Sequence, residues 1–585
     1  MPRCRARGRN TGRPEALSAA LLRKLGHLKR DPVLRRWLAG RLIGRHPAPP
    51  AFTPHRPPYL ASHVPPSAPA TLPALTAVDT AGLSPLTLPL AGEQVDVEPG
   101  GEAGLFRRTF ADTETLLGLN RFAWLPLVGD QVDKRWVAAL WAAWNAAHAT
   151  PDGGWPWHPY TAAERTINLL DYTARHGDVC DAGAMRRILE SHAEAIAARL
   201  EYGGDHNTSN HLANNGRGLY RIGLALGLDW ATEMGRDILL NEAGRIVMPS
   251  GMLREGSSHY HLLYTQRYLD AWLQAARHAR PEAEALAAVA DRALSLLPYL
   301  AMPGGLALIG DISPDQPPAF LIGLLTGEDT GWLATLDAAE RERVLERRTT
   351  VAAADPAALR RDGWARLDVG PWSALWHAAP SGWPPMPGHG HQDLGSFELH
   401  FGTERVVVDP GRGAYGTASE AAYYCGAEAH NLITVDGAEP APENRPYYDD
   451  AFRARITGDG PRMTPAENVM ELAFDGFRRL GGVGTVTRRW SFTEAHVTLT
   501  DRVDGFRPAR IARHLHVGSD VALDGDAAVI TGKTGRFRIR AEGTRPELTP
   551  AKLWRAYGES GAGTRISFRD TAPLPWTGEI VLEAI

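Results

Sequence analysis

The stretch "GHGHQDLGSFELHFGTERVVVDPG", Gly388 to Gly411, marks where the chain changes its period. Apolar and polar residues alternate through "SFELHF", and glycines bound the run, which is the pattern of a half-buried strand. Residues two apart on a strand share a face. The alternation therefore predicts that His389, His391 and Asp393 project together. Three titratable groups on one face are costly to bury unless something binds them. A metal, a proton-transfer task or plain water would each meet that need.

Downstream the same period continues. "HVTLTDRVDG", "RIARHLHVGSD", "AAVITGKTG", "RFRIRAEG", "TRISFRD" and "EIVLEAI" are short, alternating and turn-bounded, as in an antiparallel β-sandwich. Upstream the period is helical. "DKRWVAALWAAWNAAH", "TAAERTINLLDYTARHG", "DAGAMRRILESHAEAIAARLEYGG" and "TQRYLDAWLQAARHARPEAEALAAVADRALSLLPYLA" repeat apolar residues at three and four. They predict antiparallel helix pairs without a sequence repeat, which gives no support to a solenoid. Helices first and strands after imply two segregated domains, an α+β architecture, and not a βαβ sheet. The expected divisions are a basic, Pro-rich lead-in over 1–104, a helical domain over 105–355 and a β-sandwich domain over 356–585. A pocket between the last two is the default place for a site.

Composition narrows the function classes. The 585 residues exceed one hydrophobic core, and a net charge of −4 leaves no nucleic-acid footprint. Three cysteines, Cys4, Cys180 and Cys425, are too scattered for a disulfide framework or a cysteine zinc site. The 17 tryptophans suit sugar-stacking platforms or an aromatic core. No run is apolar and long enough to span a bilayer. The N-terminus carries Arg3, Arg5, Arg7, Arg9 and Arg13 without the continuous apolar run of a secretory leader. A solvated basic segment is expected there, or a helix lying on a membrane surface. Cytoplasmic location is the default expectation, periplasmic if the N-terminus is misassigned.

Three constellations carry chemistry. "NTSNHLANNGRGLYRIGLALG", Asn207 to Gly227, opens with cap-forming residues and places Asn210, His211, Asn214 and Arg217 at helical spacing on or near one face. "REGSSHYHLLYTQRY", Arg254 to Tyr268, crowds Glu255, His259, Tyr260, His261 and Tyr264 where a helix begins. Polar caps followed by aromatic core would produce the same pattern. The opening stretch ends at Asp409, and "AEAHNLITVDG" starts another strand at His430. Imidazoles and a carboxylate from adjacent strands are suitable zinc ligands, so His391, Asp409 and His430 form a candidate three-ligand site. Three unrelated polar residues at strand ends are the alternative. His514 and His516 in "RHLHV" read as an ordinary polar strand face.

Taken in order, "HPYTAAERTINL", "SNHLANNGRGLY", "EGSSHYH", the opening stretch and "AEAHNLITVDG" resemble the heparinase II/III family of polysaccharide lyases from about residue 100 onward. The resemblance implies an incomplete α/α toroid followed by an antiparallel β-sandwich. It implies β-elimination on a uronic-acid-containing polysaccharide, with Asn210 as carboxylate-neutralising amide and His211 as its catalytic or carboxylate-binding neighbour. Tyr260 matches the catalytic tyrosine and His389 the catalytic histidine. His391, Asp409 and His430 match ligands of a divalent ion, usually zinc, in a structural role; no organic cofactor is implied. Arg165, Asn214, Arg217, Arg254, Glu255 and Arg412 are expected along a cleft for an acidic polysaccharide. Asn214 departs from relatives that carry an acidic residue at its position. The rival classes are a glycoside hydrolase on a helical toroid, for which Glu255 is one carboxylate lacking a clear partner, and a non-catalytic acidic-glycan binder.

Overall fold

Small residues decide how closely the helices pair. In the computed structural model, residues 31–45, 56–64, 67–204, 209–383, 389–416, 419–443, 448 and 450–585 are described, with Leu25, Leu28 and Lys29. Helix α1 spans Pro32–Leu42, and a hairpin of β1 (Leu86–Leu90) and β2 (Glu93–Val97) follows. The helical domain then runs through α2 (Thr113–Arg121), α3 (Lys134–Ala147), α4 (Pro159–His176), α5 (Ala182–Ala198), α6 (Asn210–Leu226), α7 (Asp229–Ile246), α8 (Ser258–Arg277) and α9 (Ala283–Leu294). A short hairpin of β3 (Ala301–Met302) and β4 (Gly305–Leu306) precedes α10 (Ala338–Thr350). Asp112, Asp133, Asp181, Ser209, Ser257 and Asp337 cap α2, α3, α5, α6, α8 and α10 by accepting first-turn N–H groups. Helix α6 packs on α4, α5, α7 and α8. A Cβ on Gly218 would lie 2.5 Å from the Ala163 Cβ of α4, and one on Gly235 of α7 would lie 2.5 Å from the Tyr220 nitrogen. Only glycine lets α6 sit that deep between its neighbours. The helices form an incomplete α/α toroid.

Among the described residues the β domain has three antiparallel sheets. One joins β5 (Trp364–Val369), β6 (Trp372–His377), β7 (Ser396–Phe401) and β8 (Glu404–Val407) in that order. After β9 (Ile433–Val435) come β10 (Arg462–Ala466), β11 (Val469–Phe474), β12 (Val483–Phe492), β13 (His496–Gly505), β14 (Pro508–Val517), β15 (Asp520–Asp524), β16 (Ala527–Thr531), β17 (Arg536–Ala541), β18 (Glu547–Ala556), β19 (Glu559–Pro573) and β20 (Trp576–Ala584). The large sheet is ordered β10-β11-β12-β13-β20-β17-β16-β15 and the small one β18-β19-β14-β9. The helical core extends into the β domain through Trp364, Leu375, Tyr424 and Trp554, while one core inside the β domain gathers Trp376, Phe397, Trp490 and Phe568. Arg488 and Asp501, both fully buried, meet at 2.8 Å across the β12–β13 pair inside it.

Several expectations change here. The lead-in holds the β1–β2 hairpin, and α1 docks on the β domain, with Trp37 against Tyr448 and Phe452 and Asp31 2.8 Å from Arg479. The basic residues Arg3 to Arg13 lie outside the described residues. No helix among the described residues is long and apolar enough to cross a membrane. Tryptophan is mostly core: Trp124, Trp141, Trp144, Trp157, Trp364, Trp372, Trp376, Trp383 and Trp490 are fully buried. His514 and His516, on β14 between its neighbours β19 and β9, are buried too, bonded to Ser567 and Asn431.

Candidate active site

The site is assembled where two helix starts meet a loop of the β domain. Ser209 accepts from the His211 N–H and starts α6; Ser257 accepts from the Tyr260 N–H at 3.1 Å and starts α8. Asn210, His211 and Tyr260 therefore sit in first turns, where side chains project from the helix mouth. The β domain supplies His389 from the segment before β7. That segment is not strand, as its alternation had predicted: β7 begins only at Ser396.

His389 and His391 nevertheless face one partner. Asp311, on the loop after β4, takes the His389 Nδ1 on Oδ2 at 2.8 Å and the His391 Nε2 on Oδ1 at 2.6 Å. Arg412 donates to both oxygens at 3.1 and 3.3 Å. Burial raises the Asp311 carboxyl, but Arg412, His391 and the two histidine bonds outweigh it and hold it far below the carboxylate range. Burial pulls the His389 imidazole down; the bond to Asp311 and its charge, with Glu255 behind, carry it above its ordinary value.

Across the cleft His211 has the same arrangement. Its Nδ1 meets Glu201 Oε1 at 2.9 Å, while Asn215 donates to Oε2 at 2.9 Å. Burial opposes the charge on both groups and loses to their mutual attraction: His211 is raised and Glu201 is lowered to about 2. The His211 side chain stays 40 % exposed, so it can meet a ligand. His389 and His211 each leave Nε2, the opposite ring edge, without a protein partner among the described residues.

Tyr260 stands beside His389. Its ring centroid is 5.4 Å from that of His389, and its hydroxyl is 2.8 Å from the Tyr415 hydroxyl, which donates to the Ile312 carbonyl at 3.1 Å. Burial, reinforced by Asp315 and Asp311, pushes the Tyr260 phenol well above its ordinary value, so it holds its proton.

Two comparisons bear on this arrangement. Residues 352–574 match the family described as Heparinase II/III-like, C-terminal. The β domain is heparinase II/III-like. No protein of curated function matches the chain in sequence. Among solved structures, a heparan sulfate lyase HepC mutant from Pedobacter heparinus is similar, at 16 % identity and TM-score 0.54 over 82 % of this chain and 78 % of that one. A heparinase III, the BT4657 gene product, aligns at 14 % identity and TM-score 0.55 over 82 % and 80 %. Another structure of heparinase III aligns at 13 % and 0.58 over 82 % and 79 %. At such identities the likeness is one of fold.

The heparinase II/III-like domain does not gather the expected metal ligands. Asp409 is occupied by His430 Nδ1 at 3.0 Å, Ser396 Oγ at 2.6 Å and the Gly411 N–H at 3.0 Å. His391 turns Nε2 to Asp311 instead. Among the described residues no three His, Cys, Asp or Glu side chains stand where one ion would meet them all. The rings of His391 and His430 are 5.2 Å apart, and His391 Nδ1 and His430 Nε2 are buried without a hydrogen-bond partner. Two imidazole nitrogens fall short of the three protein ligands that even an open zinc site uses. The donor set does not fit zinc as arranged. Asp393 pairs with a histidine, His377, at 2.8 Å.

The expected cleft residues divide. Arg165 is fully buried against Trp144 and bonded to His192 and the Asn120 and Pro156 carbonyls, so it cannot line a cleft. Arg217 is bound internally by Asp270 at 2.7 Å and Glu164 at 3.4 Å. Arg254 is half-buried beside Glu255 and Glu242. Glu255 is buried and accepts from the Asn210 backbone and, on both oxygens, from its Nδ2, each at 2.9 Å; Arg267 donates to the Asn210 Oδ1 at 3.3 Å. The Asn210 amide is thus held in place by protein groups. Asn214 lies one turn further along α6 and lines a small pocket with Asn210, Tyr260 and Arg267; both its amide atoms lack a hydrogen-bond partner. Arg412 reaches the site through Asp311 and covers the Tyr415 ring at 4.9 Å.

Asp311, Glu201 and Tyr415 were not singled out from the sequence. Asp311 ends the apolar run "LALIGD" as Asp409 ends "VVVDPG", and that shared pattern was its signal.

Proposed function

We propose that the chain is a polysaccharide lyase that cleaves a uronic-acid-containing polysaccharide by β-elimination and leaves a C4–C5 unsaturated product. One observation carries the reading: a protonated phenol, Tyr260, and a carboxylate-held imidazole, His389, lie with ring centroids 5.4 Å apart at the seam of the two domains. The names of the similar structures point the same way, toward heparan-type acidic glycans.

The roles follow from the chemistry. The C5 proton of a uronate is removable only when the adjacent carboxylate charge is compensated. His211, whose charged form Glu201 favours and whose ring is open to solvent, is placed for that task; the Asn210 amide is engaged by Glu255 and Arg267 and is not assigned to the substrate carboxylate. His389 Nε2 takes the C5 proton. The released electron pair forms the C4–C5 double bond as the C4–O bond breaks, and the Tyr260 hydroxyl protonates the leaving oxygen. Imidazolium and phenolate then exchange protons with solvent. No water is added, so no second carboxylate is needed. Of the carboxylates a hydrolase could use, Glu255 and Asp311 each have both oxygens engaged by protein donors.

The test is a panel of uronate polymers, including heparan, hyaluronan and alginate, scored for ultraviolet-absorbing unsaturated ends. Cleavage without that absorbance would replace the lyase by a hydrolase; binding without cleavage would leave only a binder.

A further inference from the structure

Asp311 belongs to the helical domain, yet every side-chain bond it makes goes to the β domain. Its loop is stitched to the start of α8: Ser258 N–H donates to the Ile309 carbonyl at 3.1 Å, and Ser257 Oγ donates to the Asp311 carbonyl at 2.6 Å. Gly310, at φ +83°, passes so close to α8 that a Cβ would lie 2.4 Å from the Gly256 oxygen. On the other side the backbone pairs with the β domain, Arg412 N–H to Gly310 O at 3.1 Å and Ile312 N–H to Arg412 O at 2.8 Å. The carboxylate is 1 % exposed and has no rotameric freedom to lose: both oxygens are taken.

We propose that Asp311 is a positioning residue for the elimination: it holds the Nδ1–H of His389, so that the lone pair of Nε2 is presented to the cleft, and it ties that imidazole to the helix that carries Tyr260. The role of His389 rests on the lyase reading; the hydrogen-bonded tautomer rests on geometry alone. An imidazole has one N–H when neutral, and the edge that donates is set by the acceptor on the other side. A carboxylate accepts only, so Nδ1 must carry the proton and Nε2 must be the acceptor. Asp311 touches no substrate atom; it acts through the ring it orients and through the seam it pins.

Two measurements on the full chain test this. In protein labelled with nitrogen-15 at histidine, with the His389 signals assigned by their loss in H389Q, neutral His389 is expected as the Nδ1–H tautomer. D311N, whose amide can rotate an N–H toward the ring, is expected to lose that single state. In turnover, D311N is expected to lower kcat by about 100-fold or more with little change in KM, toward the roughly 10⁴-fold loss that the same change causes behind the histidine of a Ser-His-Asp triad, and D311E is expected to recover part of it. A neutral His389 that carries its one proton on Nε2 in the unaltered protein overturns the proposal. So does a D311N enzyme with unchanged kcat, or one whose loss lies in KM alone. The tautomer measurement needs no variant at Asp311, so it decides even if D311N does not fold. Absence of an unsaturated product from the unaltered protein would sink the lyase reading and leave the tautomer result standing.

Discussion

Replacing Tyr260 by Phe separates chemistry from architecture, because the structure isolates one oxygen atom. The ring is buried and stays where it is, packed beside His389 at 5.4 Å and on the α8 side of the cleft. What is lost is the hydroxyl and its 2.8 Å bond to Tyr415. Tyr415 keeps its own acceptor, the Ile312 carbonyl, so no donor is orphaned. The folding cost is therefore that of one neutral hydrogen bond, about 1 kcal/mol. The catalytic cost is far larger. A leaving sugar oxygen expelled without a proton donor forfeits the whole general-acid contribution, about 10²–10⁴ in rate, or about 2.7–5.4 kcal/mol of barrier. Initial rates of ultraviolet absorbance on the best polymer, with thermal unfolding of the same preparation, give both numbers. The expected result is a collapse of kcat with the unfolding midpoint nearly unchanged. If Y260F kept most of its kcat, Tyr260 would not be the acid, and the roles assigned around it would have to be withdrawn.

Other outcomes follow from the same contacts. D501A leaves Arg488 charged and unpaired inside the β core, where both partners are fully buried, and should cost about 3–5 kcal/mol of stability, read from denaturant unfolding. E201Q should weaken folding most between pH 4.5 and 6.5, the ordinary values of the two partners. Glu201 is depressed, so its contribution disappears as pH falls through about 2; His211 is raised, so its contribution disappears as pH climbs through its folded value. The His211 side chain is 40 % exposed, and solvent screening keeps the effect at about 1 kcal/mol or less. Equal losses at pH 4 and pH 9 would contradict the pairing. Elemental analysis of purified protein should find zinc well below one equivalent, because Asp409 is committed to His430 and Ser396. One tightly held equivalent would mean that Asp409 swings from His430 to the ion.

How much of this was legible in the chain depends on whether a residue's partner is local. The helix and strand periods are local, and they led from "AAWNAAH" and "HVTLTDRVDG" to α3 and β13 directly. The caps Ser209 and Ser257 are local, and they explain why Asn210, His211 and Tyr260 open helices. Asp311 meets His389 across 78 positions of sequence, so nothing near either residue announces the pair. Arg165 and Arg217 were misplaced for a related reason. A positive charge on an amphipathic helix reads as solvated or substrate-facing, and only the folded chain puts Trp144 against one and Asp270 against the other. The Gly-His alternation at 389–393 imitated a strand, but the segment is loop: its histidines are organised by an acceptor, not by a ladder.

That acceptor also explains why a two-domain seam is a workable place for this chemistry. Acid and base must be held to a fraction of an ångström relative to one another, since small misplacements cost large factors in rate. Tyr260 is fixed by α8 and His389 by the loop before β7; Trp364, Leu375, Tyr424 and Trp554 of the β domain pack into the helical core, but apolar packing is non-directional and does not aim an imidazole. Between them the chain places paired backbone hydrogen bonds through Gly310, Ile312 and Arg412 and a buried carboxylate bonded to both sides. An ion pair removed from water gains from low dielectric only when its geometry is complete, and here each Asp311 oxygen has two donors. The electrostatic cost of burying Asp311 is thus offset only when the domains are seated with His389 in place. The contacts that bury Asp311 are the same ones that aim His389, so seating the domains and aligning the base are coupled.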